Sequence, residues 1–284
     1  MQTAGKSSIT ADFIALVGSQ IEDDRIDLLG ASLTIARTDY PQLDIENYVT
    51  RVEALASKVR KQLANNFSVM DIITALNRVL FHEIGFRGNR EEYYDPRNSF
   101  LNDVLERRLG IPITLSVLYM EVAQRVGLPL VGVGMPGHFL LKVYDIEGRQ
   151  ILIDPFNSGS MLNAAECEQR MREIYSGELR FKPEYLLPVS RRQILTRMLN
   201  NLRHIYMSVR QFRKTLAIVD LVLAIYPRSP EDVKQRAMLR FSVGQLAGAV
   251  SDLDQYLKMN PEASDADEIR QTALSIRKTM ATWN

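Results

Sequence analysis

The sequence predicts an α+β domain followed by an all-α repeat domain, and three patterns in its 284 residues support this division. Apolar residues recur at helical spacing from residue 7 to about residue 90. The pattern then becomes extended, with Val, Leu and Phe concentrated between residues 128 and 154. Helical spacing returns after residue 164, and the C-terminal part repeats itself. We therefore expect residues 1–188 to form the first domain and residues 189–284 the second.

The composition is that of a globular protein with a substantial core, because 46% of the residues are apolar and 24% are charged. The formal net charge of +1 gives no reason to expect a nucleic-acid partner. The single cysteine, Cys167, excludes an internal disulfide and fits a reducing compartment. No apolar stretch approaches the roughly 18 residues of a membrane span, and the first residues lack a secretion signal. We predict a cytoplasmic protein with neither a nucleic-acid nor a membrane partner.

No motif in the sequence indicates a metal or a cofactor. The three histidines, His82, His138 and His204, lie far apart in sequence, and none has a second histidine at helical spacing. The glycines near residue 134 have no lysine or helix start in the position that a phosphate-binding loop requires. We therefore expect no metal and no cofactor.

The residues after Gly110 predict a buried central helix against which a small antiparallel sheet packs. Pro112 suits the first turn of a helix, and the apolar residues from Ile113 to Val122 occupy most of its faces. The preceding segment, Gly85–Ser99, mixes glycines, a proline, charges and two tyrosines. It is expected to form an ordered surface loop, the kind of segment that often carries function.

His138 and Asp154 are the residues that most directly suggest chemistry. If residues 138–145 and 150–154 form a hairpin around residues 146–147, these two residues lie opposite each other. A carboxylate in that position accepts the imidazole N–H, fixes the tautomer and stabilises the imidazolium, as in the base and orienting members of a catalytic triad. The alternative is a structural histidine that holds the hairpin against the helix.

A nucleophile in this arrangement would project from the N-terminus of the central helix, where the helix dipole stabilises a thiolate. The segment from Gly110 to Ser116 contains no cysteine, and Cys167 follows the hairpin in a helical stretch. Thr114 and Ser116 are the only hydroxyl side chains in that segment. Either they act as nucleophile with His138 as base, or they cap backbone N–H groups.

The C-terminal part repeats with the period of tetratricopeptide motifs. Pro227 and Pro261 are 34 residues apart, and Gln211 aligns with Gln245 in the same register. Each half indicates two antiparallel helices, and residues 264–282 indicate a capping helix. Because two repeats are fewer than a free-standing solenoid needs, we expect the pair to pack against the first domain.

A run of basic residues without any acidic residue lies between Ser190 and Lys214. Among its members, Arg192, Arg203 and Arg210 are candidates for binding a carboxylate or an acidic segment of a peptide. The alternative is a solvated helix face whose arginines pair with acidic residues elsewhere in the chain.

These segments together resemble a known family. The run FRGNREEYYDPRNS, then RRLGIPITLS, PGHFLL and DPFN, is similar in content and order to the bacterial SirB-type proteins. The resemblance covers roughly residues 30–265. It implies a transglutaminase-like core, related to papain-like proteases and their Cys-His-Asp triad, followed by tetratricopeptide repeats.

Carried over to this chain, the resemblance implies that the triad histidine is His138 and the triad aspartate is Asp154. The cysteine position falls within residues 112–114, where this chain has Pro, Ile and Thr. We therefore predict a non-catalytic regulatory or scaffolding protein that binds a protein or peptide partner. The alternative function is a hydrolase or acyltransferase that uses Thr114 or Ser116 as nucleophile with the His-Asp pair.

Overall fold

The computed structural model describes residues 8–18, 20–63 and 67–282, and the chain divides into two compact units. One unit comprises Glu22–Met198, and the other combines the segment up to Ile21 with the residues from Leu199 onwards. The first helix of the chain therefore belongs to the compact unit of the C-terminal repeats. The domain boundary proposed between residues 188 and 189 stays a prediction, and the division into compact units falls ten residues later, after Met198.

The fold combines helices with a small antiparallel sheet, as the sequence predicts. The α-helices in the described part of the chain are α1 (Ile9–Val17), α2 (Leu28–Ala36), α3 (Ile45–Arg60), α4 (Val69–Asn77), α5 (Leu101–Arg107), α6 (Pro112–Arg125), α7 (Ala164–Ile174), α8 (Arg191–Ser208), α9 (Phe212–Ile225), α10 (Pro230–Ser242), α11 (Leu246–Met259) and α12 (Ala266–Thr282). The strands are β1 (Arg87–Gly88), β2 (Leu109–Gly110), β3 (Val131–Val133), β4 (Leu140–Tyr144), β5 (Gln150–Asp154), β6 (Ser160–Leu162) and β7 (Pro188–Val189).

Helix α6 is the centre of the larger unit. Every residue from Pro112 to Ala123 is buried, and α2, α3, α4, α5 and strand β4 all pack around it. Its proline stands at the first helical turn, where the missing N–H costs nothing. The prediction of a buried central helix is therefore confirmed.

The sheet of this unit has the strand order β6-β5-β4-β3-β7, and all of its neighbouring strands are antiparallel. The predicted extended segments correspond to β3, β4 and β5. The two edge strands, β6 and β7, are three and two residues long, which is too short to give a recognisable alternating pattern. Separately, β1 and β2 form a short parallel pair that ties the Gly85–Ser99 loop to the start of α6.

The repeat unit shows the 34-residue period directly in its helix ends. Helices α9 and α11 are both 14 residues long. The residues before them, Gln211 and Gln245, have nearly the same backbone angles, with φ of −81° and −86° and ψ of 65° and 62°. Helix α12 packs on α11 as the expected cap, and α1 packs against α9. Among the residues described, no helix combines the length and the apolar character that crossing a bilayer requires.

Candidate functional site

His138 and Asp154 lie in direct contact at the end of the central hairpin. The imidazole Nε2 is 2.8 Å from Asp154 Oδ2. The register differs from the predicted one, because Leu141 pairs with Ile153 and the turn is therefore centred one residue later. His138 lies two residues before β4 and reaches Asp154 diagonally. The shift by two residues keeps both side chains on one side of the hairpin, because side chains alternate along a strand.

Asp154 is a buried carboxylate surrounded by donors. It is fully buried, and besides the imidazole it accepts the backbone N–H of Asn157 at 3.2 Å, the Asn157 side-chain amide at 2.7 Å, and a guanidinium N–H of Arg170. Burial by itself raises the pKa of Asp154, but the donated hydrogen bonds and the charges of His138 and Arg170 outweigh it and lower that pKa. An ionised carboxylate only accepts hydrogen bonds, so Nε2 of His138 carries the proton between them.

A second contact fixes the backbone of His138. Arg197, on α8, donates from its guanidinium to the His138 carbonyl oxygen at 2.7 Å and lies over the Phe139 ring at 5.4 Å. The backbone N–H of His138 donates to the Met135 carbonyl oxygen at 3.0 Å, which closes a tight turn around Gly137. Burial lowers the pKa of the Arg197 guanidinium. The histidine is therefore held through its ring by Asp154 and through its carbonyl by Arg197.

A cavity of about 430 Å³ lies against the His138 ring. Phe156 meets the imidazole edge to face with ring centres 6.0 Å apart, and the Arg90 guanidinium lies 5.2 Å from the centre of the Phe156 ring. Arg90 and Tyr93 come from the Gly85–Ser99 loop, which therefore forms one wall of the cavity. The residues that line it are Arg90, Tyr93, Pro112, Gly137, His138, Phe156, Asn157, Arg170, Glu173 and Ile174.

Pro112 is the residue that the start of α6 presents to this cavity. Neither Thr114 nor Ser116 is among the described residues that line it. Thr114 is fully buried, and its hydroxyl accepts the N–H of Ile111 at 3.1 Å and donates to the Asn98 carbonyl oxygen at 2.7 Å. Ser116, two residues further along α6, is also fully buried. The Thr114 hydroxyl therefore serves the helix start, the Ser116 hydroxyl is buried without a hydrogen-bond partner among the described residues, and the residue of the helix start that lines the cavity is a proline.

Cys167 lies on α7 and is fully buried. Desolvation raises the pKa of its thiol to about 11, so the thiolate is scarcely populated at neutral pH. This environment is that of a core residue. Within residues 8–18, 20–63 and 67–282, no group of three or more His, Cys, Asp and Glu side chains is arranged to hold a metal ion.

The three arginines predicted to bind a peptide have different surroundings. Arg192 lies 3.5 Å from Asp23, in the larger unit. Arg203, in the repeat unit, pairs with Asp232 at 2.6 Å. Arg210 follows α8 and is exposed, with a left-handed backbone φ of 55°. Pairing with acidic residues elsewhere, the alternative considered from sequence, is thus observed for the first two.

Several site residues were not identified from the sequence. Arg170 and Arg197 lie on helices that follow the hairpin, and Phe156 follows Asp154 directly in the DPFN segment. The mixed loop before α5 was the available signal for Arg90 and Tyr93. No spacing rule connects Arg197 with a loop about sixty residues earlier, because that contact depends on tertiary packing.

Two parts of the chain match known families. Residues 46–200 match the transglutaminase-like superfamily, and residues 202–273 match a tetratricopeptide repeat family. The first match covers more than half of the chain. The fold and these two matches thus define a transglutaminase-like domain followed by tetratricopeptide repeats.

Similar proteins are found in bacteria and in animals. A UPF0162 protein of Xylella fastidiosa is 38% identical over 254 residues, which cover 88% of this chain and 90% of that protein. Protein SirB1 of Salmonella typhimurium is 26% identical over 234 residues, 82% of this chain and 86% of its own. F-box only protein 21 of Homo sapiens is 35% identical over 186 residues, 61% of this chain and 28% of its own. The chain belongs to the SirB-type family of transglutaminase-like proteins, which confirms the resemblance seen in its sequence motifs.

Proposed function

We propose that this protein is a non-catalytic member of its superfamily that binds a protein or peptide in a regulatory or scaffolding role. The supporting observation is Pro112, which stands at the first turn of α6 and lines the cavity together with His138. A triad enzyme needs a nucleophilic side chain at that helix start. Proline offers neither a nucleophilic atom nor a backbone N–H. A cytoplasmic location is part of the proposal, since the only cysteine is a buried free thiol.

The position of the hydroxyls supports the same conclusion. A serine or threonine nucleophile must hydrogen-bond to its base, because its own pKa is too high for unassisted attack. The Thr114 hydroxyl is engaged with Ile111 and Asn98 instead, and Ser116 lies in the core. The alternative function, a hydrolase with a Ser or Thr nucleophile, rests on the retained His138–Asp154 contact alone.

The cavity has the chemistry of a binding site for a peptide side chain. Its walls combine the aromatic rings of Tyr93 and Phe156 with the guanidinium of Arg90. Ile174, which lines the cavity, is 48% exposed, and Tyr94, whose ring centre lies 5.3 Å from that of Tyr93, is 78% exposed. Exposed aromatic and apolar side chains around a partly charged cavity are typical of protein interaction sites. The tetratricopeptide repeats supply a second surface of the kind that binds proteins.

Turnover by the purified protein tests this proposal. We expect peptide and ester substrates to be hydrolysed at the same background rate by the wild type and by His138→Ala. An enzyme would lose at least about a hundredfold in rate when its general base is removed. Hydrolysis or acyl transfer by the wild type clearly above the His138→Ala protein would refute the proposal and establish the hydrolase alternative.

A further inference from the structure

We propose that the turn between α8 and α9 binds an acidic segment of a partner peptide through Arg210 and Arg213. This inference rests on the proposed function, because it names the partner chemistry of a peptide-binding protein. The two arginines lie beside a surface cavity of about 520 Å³. The residues lining it are Arg210, Gln211, Phe212, Arg213, Lys214, Ser242 and Val243. We call this set the α8–α9 turn surface.

The second repeat supplies an internal comparison for this surface. The turns Ser208–Gln211 and Ser242–Gln245 share three of their four residues at the 34-residue offset. The positions of Arg210, Arg213 and Lys214 are occupied in the second repeat by neutral residues of minimal size. Those residues are Gly244, Ala247 and Gly248. Because the second turn forms with the same backbone angles at its glutamine, the fold does not require the basic residues.

Arg210 occupies a backbone conformation that disfavours it. Its φ is 55°, in the left-handed region, and the corresponding Gly244 has a φ of 81°. A side chain carries a conformational penalty there that glycine does not. The first repeat therefore has an arginine where local stability favours glycine. Residues kept in unfavourable backbone conformations are concentrated at functional sites.

The positive charge of Arg213 is unfavourable at its position in α9. It lies in the first turn of α9, where the exposed N–H groups give the helix a partial positive charge. No acidic residue is present in that turn to compensate. The second repeat places an uncharged alanine at the same position. One turn thus carries two independent costs, the left-handed backbone of Arg210 and the charge of Arg213 at a positive helix start. An anionic ligand would offset the second cost.

The two guanidinium groups are available to a ligand. Both arginines are exposed, and among the residues that the structure describes neither forms an ion pair or a hydrogen bond through its side chain. Arg203, by contrast, is already paired with Asp232. Phe212 and Val243 are half-buried in the same cavity wall, so the surface offers an apolar contact beside the charges. A peptide carrying glutamates next to an apolar side chain matches this combination.

The test replaces Arg210 and Arg213 by the residues that the second repeat has at the same positions, glycine and alanine. The double variant Arg210→Gly/Arg213→Ala is compared with Arg228→Ala/Lys278→Ala, which removes the same charge from two other exposed positions of the unit. The probe is a fluorescein-labelled peptide in which glutamates flank a phenylalanine, and its counterpart has glutamine in place of each glutamate. Fluorescence anisotropy at low and moderate salt gives the dissociation constants.

We expect the wild type and the control variant to bind the glutamate peptide alike and the Arg210→Gly/Arg213→Ala variant to bind it at least about tenfold more weakly. The melting temperature of that variant is expected to equal or exceed that of the wild type, because both costs are removed. Equal binding by all three proteins, equal binding of the two peptides, or a strongly lowered melting temperature would overturn the inference. Tighter binding of a DNA duplex than of the glutamate peptide would also overturn it.

The outcome is separable from that of the proposed function. His138→Ala alters the cavity of the other compact unit and should leave binding at the α8–α9 turn surface unchanged. If the protein proves to be a hydrolase, the peptide titration still decides whether Arg210 and Arg213 bind acidic segments. If instead no turnover is found and the peptide fails to bind, only the present inference is lost.

Discussion

Replacing Pro112 by cysteine places a thiol at the first turn of α6, in the cavity that His138 also lines. The substitution changes one side chain at the first turn of α6 and returns a backbone N–H to a position where none of the helix hydrogen bonds depends on it. The only native cysteine, Cys167, is fully buried and has a pKa raised to about 11. The new thiol is therefore the only one expected to react rapidly at neutral pH.

The expected pKa follows from two contributions. An ordinary cysteine has a pKa of about 8.5, and the helix N-terminus stabilises an anion by roughly 1 kcal/mol, which lowers the pKa by somewhat less than one unit. An imidazolium that forms an ion pair with the thiolate lowers it by about one unit more. The thiol of Pro112→Cys should therefore have a pKa of about 7. Its thiolate fraction at pH 7 rises from about 3% to about half, so alkylation proceeds roughly tenfold faster.

Iodoacetamide alkylation followed from pH 5 to pH 10 measures this pKa. The matched control is Pro112→Cys/His138→Ala, in which the pKa should rise by about one unit. Pro112→Ala reports any change in the free energy of unfolding caused by loss of the proline. A thiol pKa at or above about 8.5, or the same pKa with and without His138, would show that residue 112 does not occupy the nucleophile position.

Three further substitutions test interactions within the two units. Asp154→Asn removes the stability that the lowered pKa of the carboxylate provides. The wild type has this contribution above about pH 4 and loses it as the pH falls through the lowered pKa, so the melting temperatures of the two proteins should converge in acid. Asp252→Asn removes a 2%-exposed carboxylate that accepts from Arg236 at 2.7 and 2.9 Å and from Arg240 at 2.8 Å, so urea unfolding should show a loss of about 2–4 kcal/mol. In Gly159→Ala, the new Cβ overlaps Asn77 Oδ1 at a φ of 73°, and thermal unfolding should reveal a loss of at least about 2 kcal/mol.

Each of these has its own control. A constant difference in melting temperature between Asp154→Asn and the wild type from pH 7 to pH 3 would contradict the carboxylate's depressed pKa. Asp254→Asn, which breaks an exposed pair with Arg277, should cost less than about 1 kcal/mol, and a larger cost would show that burial is not the deciding factor at Asp252. Gly148→Ala has a φ of 77° with open space around it, so it should lose only about 1 kcal/mol.

The architecture could be predicted from the sequence, because the repeats, the buried helix and the extended segments each leave a strong pattern of apolar residues or of spacing. The expected pairing of His138 directly opposite Asp154 is centred on residue 146, whereas the observed pairing of Leu141 with Ile153 is centred on residue 147. The side chain of Asp145 accepts the backbone N–H groups of Glu147 and Arg149 at 2.9 Å and closes a longer turn. A single side-chain acceptor thus decides the register, and residue propensities do not report it.

The sequence predicted the contacts of the site that depend on local structure but not those that depend on tertiary packing. The His138–Asp154 contact survived the register error because side chains alternate, so a shift of two residues preserves the face. The acceptor role of the Thr114 hydroxyl, anticipated as one alternative, depends on a local capping contact that sequence can suggest. The guanidinium of Arg197 reaches the His138 carbonyl across 59 residues of chain, and only the folded structure shows this.

Helix α8 begins in the larger unit and ends in the repeat unit, because the division between them falls after Met198. A gene fragment ending at residue 188 would therefore encode the histidine and its aspartate but not Arg197. The repeats cannot be exchanged for another module at that point without also supplying the first turns of α8. A cut at residue 188 therefore separates the histidine from Arg197, the residue that holds its backbone, because Arg197 is encoded with the helix that leads into the repeats.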